Sequence, residues 1–370
     1  LPVASGLLLC GLIGWLVRDR FLAGTNDFAQ LYAGARLAGT PELYTKAGAL
    51  RIHREAFAAE LESVYYSRPP FYALLLRPLA SLPYRAAFAL FVGLNLLAIL
   101  WFFHAFGRGR PEVPVFGALY PPTVVSLLTG QDVGLVLALA AAGYLLLDRG
   151  RGFAAGLVWS LCSVKAHLFL LLPLVLACSR QWRALAGGAA GGALLAGLSF
   201  AAQGPGWVGE YLAMLSDPEI HPGLDHMPNL QAVRLAAAPQ AGDGFLWAGG
   251  ILVAALAARI ALRSSTWQAA FPYALAGSLA ISYHAYMQDC LPLLLAFAVA
   301  LEHVRHKRLR ILWALALAPL TPLALAAGSP WSAIPALLYV TLAAAAALAP
   351  GAPARTADAS PLRPPDPAAP

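Results

Sequence analysis

The chain has 370 residues, of which 59% are hydrophobic and 12% charged, with a net charge of +7 and a mean hydropathy of +0.66. A soluble domain carries roughly 25% charged residues, so this chain lacks the groups to wet its own surface; a soluble enzyme, a disordered chain and a disulfide-stapled secreted module are excluded. Gly, Pro, Ala and Leu are abundant without strand-like alternation, which also excludes an outer-membrane barrel. The composition predicts an all-α, polytopic integral membrane protein.

Crossing ~30 Å of hydrocarbon takes about 20 apolar residues, fewer where the bilayer thins. In chain order such runs fall at 2–17, 85–106, 113–128, 133–147, 153–164, 167–178, 184–201, 245–262, 267–283, 287–301, 309–327 and 331–349. These are about twelve spanning or partly spanning helices, forming one transmembrane domain over 1–349. The first run lacks a basic leader and reads as a first span, not a cleaved signal peptide. Residues 350–370 are Pro/Ala-rich and predict a disordered cytoplasmic tail. The stretch 153–178 reads as two short helices broken at Lys165, because one long helix would put the basic loops 148–152 and 179–183 on opposite faces. No pair of cysteines has metal-site or disulfide-framework spacing.

With the first N-terminus inside, the inner loops and tail hold fourteen of the 25 basic and five of the 18 acidic residues, leaving eleven and thirteen outside. Lys and Arg collect in cytoplasmic loops. The positive charge is therefore a topology signature and predicts no nucleic-acid partner. It places a multi-pass protein in the cell (inner) membrane, with its longer polar loops facing the periplasm or exterior.

Polar groups at membrane depth or at its boundary are costly, which makes them functional candidates. Within the first outer loop, 18–85, the run Asp27-Phe28-Ala29-Gln30-Leu31-Tyr32 starts a helical pattern that predicts an amphipathic interfacial helix, capped by Thr25 or Asn26. Asp27 reads either as a helix-terminal carboxylate or as a general base at the membrane surface. In Tyr65-Tyr66-Ser67-Arg68-Pro69-Pro70-Phe71, the aromatics suit an interfacial belt, whereas Arg68 suits an anionic headgroup or phosphate. Gln131 and Asp132, after Thr129-Gly130, read as caps of the following helix. Lys165 and His167 flank a helix break, where a snorkelling lysine and a phosphate site are both compatible readings. Asn229 lies in His226-Met227-Pro228-Asn229-Leu230, a weak pattern. His284 and Asp289, in Ser282-Tyr283-His284-Ala285-Tyr286-Met287-Gln288-Asp289, are not spaced as a helical metal pair.

The order of these pieces resembles glycosyltransferase family 87. Asp27-Phe28 with Tyr32 and Leu43-Tyr44 comes first. Tyr66-Ser67-Arg68-Pro69-Pro70-Phe71 with Arg77-Pro78-Leu79 follows, then Gly130-Gln131, then Gly156 with Lys165 and Trp182-Arg183. Pro228-Asn229 and Ser282-Tyr283-His284 with Asp289 and Leu291 complete the set. Two places depart from the family: a frequent Lys-Pro reads Lys165-Ala166, and the usual Gly-Gln-Asn reads Gly130-Gln131-Asp132. The resemblance implies the multi-pass glycosyltransferase C fold and an inverting transfer of a sugar, mannose by family habit. The sugar would move from a polyprenyl-phosphate donor to a glycolipid or glycan acceptor among membrane lipids.

By the same resemblance Asp27 is the general base. Lys165, His167, Arg68 and His284 are the donors to the phosphate, and Tyr32, Tyr66, Gln131, Asn229 and Asp289 are substrate-binding or supporting. No cofactor is implied and, with no Asp-x-Asp pair, no obligatory metal. The rival class is a polytopic transporter or lipid flippase, which predicts internal repeats and midplane charges. No convincing repeat is present.

Overall fold

A computed structural model of the chain describes residues 27–56, 65–217, 223–303 and 320–348, with 8, 11–16, 18–19 and 21 before them and 309, 312–313 and 316 between. Of the expected first span, 2–17, only 8 and 11–16 are described, as helix; the caps Thr25 and Asn26, parts of 309–319 and the tail lie outside the described residues. All regular elements among the described residues are helices.

The segment before the first long helix carries α1 (Phe28–Leu37), α2 (Lys46–Ala56) and α3 (Pro70–Leu76), the last followed by a 3-10 turn, Arg77–Ser81. The sequence predicts an amphipathic surface helix for α1, but eight of its ten residues are buried. The cause is the aromatic set around it: the Phe28 ring lies 5.0 Å from Phe91 and 5.6 Å from Tyr84. Small residues at Ala29, Ala33 and Gly34 let the opposite face close up as well, with Tyr66 lying directly on Gly34. Only α2 keeps a polar face, burying Gly48, Ala49, Ile52 and His53.

The long helices follow their hydropathy. α4 (Tyr84–Gly107) has 24 residues, about 36 Å at 1.5 Å per residue, enough to cross the hydrocarbon. Its buried residues Phe88, Phe91, Asn95, Ile99, Phe102 and Phe106 recur every three or four positions, while Leu90, Leu94, Leu97 and Trp101 are exposed. In a membrane that exposed stripe is the lipid face. α5 (Glu112–Ala118) and α6 (Pro121–Leu128) replace the single expected span 113–128. The break follows from Pro121-Pro122, since a residue before proline is driven out of the helical region and proline offers no backbone donor.

α7 (Val133–Asp148) and α8 (Gly152–Ser160) come next. After α8 a 3-10 stretch, Leu161–Phe169, contains Lys165 at φ −131°, ψ 54°, outside the helical region. α9 (Leu172–Cys178) then returns. The stretch is therefore broken at Lys165, where the sequence predicts the break.

Beyond α9 run α10 (Trp182–Gln203), α11 (Trp207–Leu215), α12 (Leu230–Ala237), α13 (Asp243–Arg263), α14 (Trp267–Ile281), α15 (Leu293–His303), α16 (Leu320–Ala327) and α17 (Ala333–Leu348). Proline 292 separates α15 from a 3-10 turn at Met287–Cys290, dividing another expected span. Four described helical stretches are long and apolar enough to cross a membrane: Tyr84–Gly107, Gly152–Phe169, Trp182–Gln203 and Asp243–Arg263. The twelve-span layout is thus met only in part, because proline and the kink at Lys165 divide several apolar runs into shorter helices.

α8 and α10 form a close pair. A Cβ at Gly156 would overlap the Ala184 carbonyl, and one at Gly187 would overlap the Phe153 carbonyl. Small residues let helix backbones approach in this way in membranes. Gly192, on the same helix, faces open space. Gly187→Ala should therefore lower the thermal midpoint of the detergent-solubilised protein, overpacking typically costing ~1–3 kcal/mol. Gly192→Ala should leave the midpoint unchanged or raise it slightly, by helix propensity. Equal midpoints for the two variants would contradict the close packing.

Candidate active site

One turn organises the site. Gly130 adopts φ +67°, a left-handed conformation that a side chain would strain, and the space for a Cβ is taken by Phe28 and Phe88. The turn is closed by the Gln131 amide donating to Ser126 O at 2.9 Å, and α1 is tied to it by the Phe28 amide donating to Thr129 O at 3.2 Å. Asp27 is thereby fixed opposite Gln131, and Asp132 at the head of α7. Neither carboxylate makes a side-chain cap bond to its helix. The capping expectation for Asp132 is corrected, because stronger charge partners claim its oxygens.

From this turn a continuous chain of polar contacts runs through the protein. Gln131 Nε2 donates to Asp27 Oδ2 at 2.8 Å. Arg68 Nη2 reaches Gln131 Oε1 at 3.5 Å, and Arg68 Nε donates to Asp132 Oδ2 at 3.2 Å. Lys165 Nζ lies 3.7 Å from Asp132 Oδ1 and donates to Asp289 Oδ1 at 2.7 Å. Asp289 Oδ2 accepts from the Tyr286 amide at 2.9 Å. Arg68, Asp132, Lys165 and Asp289 are all buried. Lys165 does not snorkel: the kink that breaks its helix turns the ammonium inward onto two carboxylates.

Paired buried charges are tolerated where geometry and hydrogen bonds compensate the lost hydration, whereas removing one partner costs roughly 3–5 kcal/mol. The local backbone serves this chain. Pro69 and Pro70 start α3 just after Arg68, and the Tyr44 hydroxyl donates to Arg68 O at 2.9 Å. Arg68 Nη1 also donates to Ser67 Oγ at 3.0 Å, and Ser67 in turn donates to Gln30 Oε1.

Electrostatics separates the two aspartates of this end. Burial pushes the Asp27 carboxyl above its ordinary value of 3.8, against the opposing pull of the Gln131 hydrogen bond and of Lys165 and Arg68. Burial also acts to raise Asp132, but Arg68 and Lys165 outweigh it and hold Asp132 below the usual carboxylate range. Asp132 is thus a fixed anion, and Asp27 is the carboxyl with raised proton affinity.

Two cavities meet this chain. The more polar, of about 250 Å³, mixes Ser67, Arg68, His167, Tyr211, Tyr283 and His284 with apolar residues such as Val164 and Leu170. His167 Nε2 is buried there with no hydrogen-bond partner among the described residues. The ring packs 5.7 Å from Tyr283 and 6.3 Å from His284. A larger cavity of about 390 Å³ is almost wholly apolar, walled by Phe71, Leu75, Trp101, Leu135 and Leu139, with Asp132 at one place in its lining. Asp27 and Lys165 line neither cavity.

Asp27, Arg68, Gln131, Lys165, His167, His284 and Asp289 thus come together from five places in the sequence. Three other expected residues do not. The Tyr32 hydroxyl donates to Leu82 O at 3.0 Å, and the Tyr66 hydroxyl donates to Pro69 O at 3.0 Å, both in the aromatic core. Asn229 accepts from the Gln231 amide as the cap of α12 and donates to Ser282 O at 3.0 Å. It tethers the Ser282-Tyr283-His284 segment without joining the cluster. Sequence reasoning missed Asp132, and it left Tyr211 and Tyr283 without a role. The available signal for Asp132 was a charge beside a long apolar helix, in a chain whose Lys165 needed an anion at similar depth.

These features define a helical membrane protein with a buried charge network between a polar and an apolar cavity. The family model described as Glycosyltransferase family 87 matches residues 66–285, more than half of the chain. The chain belongs to that family and is a membrane glycosyltransferase. No curated protein and no solved structure matches it.

The Asp27–Gln131 bond gives a direct test of the site's electrostatics. Gln131→Met removes the hydrogen bond that lowers the Asp27 pKa, so the carboxyl should titrate at still higher pH than in the wild type. Followed by its infrared carbonyl band, the protonated form of Asp27 should persist to higher pH in the variant. A native pKa above the unfolded one favours the fold below the unfolded value, and that contribution is lost as pH rises through the native value. An unshifted or downshifted band would contradict the assignment of Gln131 as the group restraining Asp27.

Proposed function

We propose that the protein transfers a sugar, mannose by family resemblance, from a polyprenyl-phosphate donor to a glycolipid or glycan acceptor at the outer face of the cell membrane, with inversion. The observation that carries this reading is the chain from Asp27 through Gln131 and Arg68 to Lys165, which joins one carboxyl of raised proton affinity to two buried cations. In the reaction the acceptor oxygen attacks the anomeric carbon while its proton passes to the Asp27 carboxylate. A carbon–oxygen bond forms to the acceptor, the bond to the donor phosphate breaks, and its electron pair leaves on the phosphate oxygen.

Charge grows on that leaving oxygen, and preset cations stabilise it best in a site from which water is excluded. Arg68 supplies a guanidinium at the polar cavity, and the orphaned His167 nitrogen and His284 offer further donors beside it. Lys165 contributes its charge from the second layer, through Asp132 and Asp289. The adjoining apolar cavity suits an isoprenoid tail, and the polar one suits the phosphosugar. The distribution of basic residues supports the outward orientation.

Two consequences are measurable. Asp27→Asn keeps the shape and the hydrogen-bonding reach of the side chain but removes a proton acceptor of adequate basicity. Folded protein should accumulate normally while transfer slows ~10²–10⁴-fold, the usual contribution of a general base. Wild-type turnover in this variant would return Asp27 to a structural role. Independently, Lys165→Met and His284→Ala should raise the KM for donor far more than that for acceptor. If donor dependence is unchanged in both, these residues leave the donor site.

A further inference from the structure

The Arg68–Asp132 pair stands where the two cavities meet. Arg68 lines the polar cavity, Asp132 lines the apolar one, and Val164 lines both. A ligand with its head in the first and its tail in the second has to bring the joining atom group to this pair. For a lipid phosphate that group is the phosphate itself. Yet the guanidinium Nε already donates to Asp132 Oδ2 at 3.2 Å, with both side chains buried. Asp132 Oδ1, by contrast, makes no hydrogen bond among the described residues and lies 3.7 Å from Lys165 Nζ. One carboxylate is therefore engaged with Arg68 and approached without a hydrogen bond by Lys165, with the buried Tyr72 hydroxyl also within interacting range of it.

We propose that Asp132 is the resident counter-anion of Arg68, and that a lipid phosphate displaces it. Binding exchanges the Arg68–Asp132 bond for an Arg68–phosphate bond, and Asp132 closes onto Lys165. This rests on the lipid-phosphate donor proposed above and adds to it a positioning residue that sets how strongly the phosphate is held. The sign of the effect follows from the unliganded state. A carboxylate that neutralises the guanidinium in the empty site stabilises that state, and so weakens the binding of any competing anion. The leaving phosphate, more negative than the donor diester, meets the same opposition and is released more readily.

The test is equilibrium binding of farnesyl phosphate, with farnesol as the uncharged control, to the full-length protein in lipid nanodiscs. Asp132→Asn should tighten farnesyl phosphate binding by about tenfold or more, the scale on which a close charge acts on a buried group. Farnesol affinity should not change, and Asp132→Glu, which keeps the charge, should bind farnesyl phosphate like the wild type. Unchanged or weaker farnesyl phosphate binding in Asp132→Asn would overturn the proposal, since a purely structural carboxylate predicts lost stability without tighter anion binding.

If Asp132→Asn does not fold, the wild-type protein bound to farnesyl phosphate decides. Its structure should show the Arg68–Asp132 contact opened from 3.2 Å and Asp132 within hydrogen-bonding reach of Lys165. Retention of the Arg68–Asp132 bond would overturn the proposal. Failure of the underlying reading looks different: the wild type would then bind farnesyl phosphate no better than farnesol, and Arg68→Gln would change neither affinity.

Discussion

Two like charges, Arg68 and Lys165, share the buried carboxylate Asp132, with Asp289 beside Lys165, and the architecture around the site follows from keeping them there. Either cation alone in this apolar setting would carry a heavy desolvation cost, and the two would repel each other across it. Asp132 takes one bond from Arg68 and stands close to Lys165, while Asp289 supplies a direct partner to Lys165. Each of the four groups thus depends on its neighbours. Charge alternates along the chain and ends, through neutral Gln131, on Asp27. The neutral link matters: a charged residue in place of Gln131 would fix the ionisation of Asp27, whereas an amide orients it and only moderates its proton affinity.

Irregular backbone is the means by which the helices deliver these groups. A lysine in the middle of a regular apolar helix would extend toward lipid or snorkel to its edge. At the kink of φ −131° it turns inward instead. Arg68 precedes a double proline, Asp132 follows a left-handed glycine, and Asp289 sits in a 3-10 turn ahead of Pro292. Non-helical backbone at membrane depth is tolerated where protein buries it or where it lines a cavity. All four charged residues are presented from irregular, buried backbone, while the long helices α4, α10 and α13 carry exposed apolar faces.

Much of this was legible in the sequence, for a physical reason. The hydrophobic load and its interruptions identify the class of protein, and the asymmetry of Lys and Arg prefers a break at Lys165 to one long helix. Costly residues stand out against an apolar background, so Asp27, Arg68, Lys165, His167, His284 and Asp289 were visible as candidates. Pairing was not visible. Asp132 reads as a cap because local spacing reports local roles, while its partner Arg68 is 64 residues away. Tyr32 and Tyr66 sit in the aromatic core instead of the charge network for the complementary reason: an aromatic with a polar tip is equally at home in a core, where its hydroxyl finds a backbone carbonyl. The buried state of α1 was hidden too, since its apolar and small residues pack on both sides only once the Phe28, Tyr84 and Phe91 rings surround it.

The proposed role of this charge network, serving a lipid-linked, phosphate-bearing sugar donor, is open to direct measurement. The most direct measurement offers the purified protein, in lipid with an acceptor extract, a panel of labelled polyprenyl-phosphate sugars beside the corresponding nucleotide sugars. Transfer of label from a polyprenyl-phosphate sugar, with none from any nucleotide sugar, is the predicted result. Transfer from nucleotide sugars, with polyprenyl-phosphate sugars inert, would contradict it.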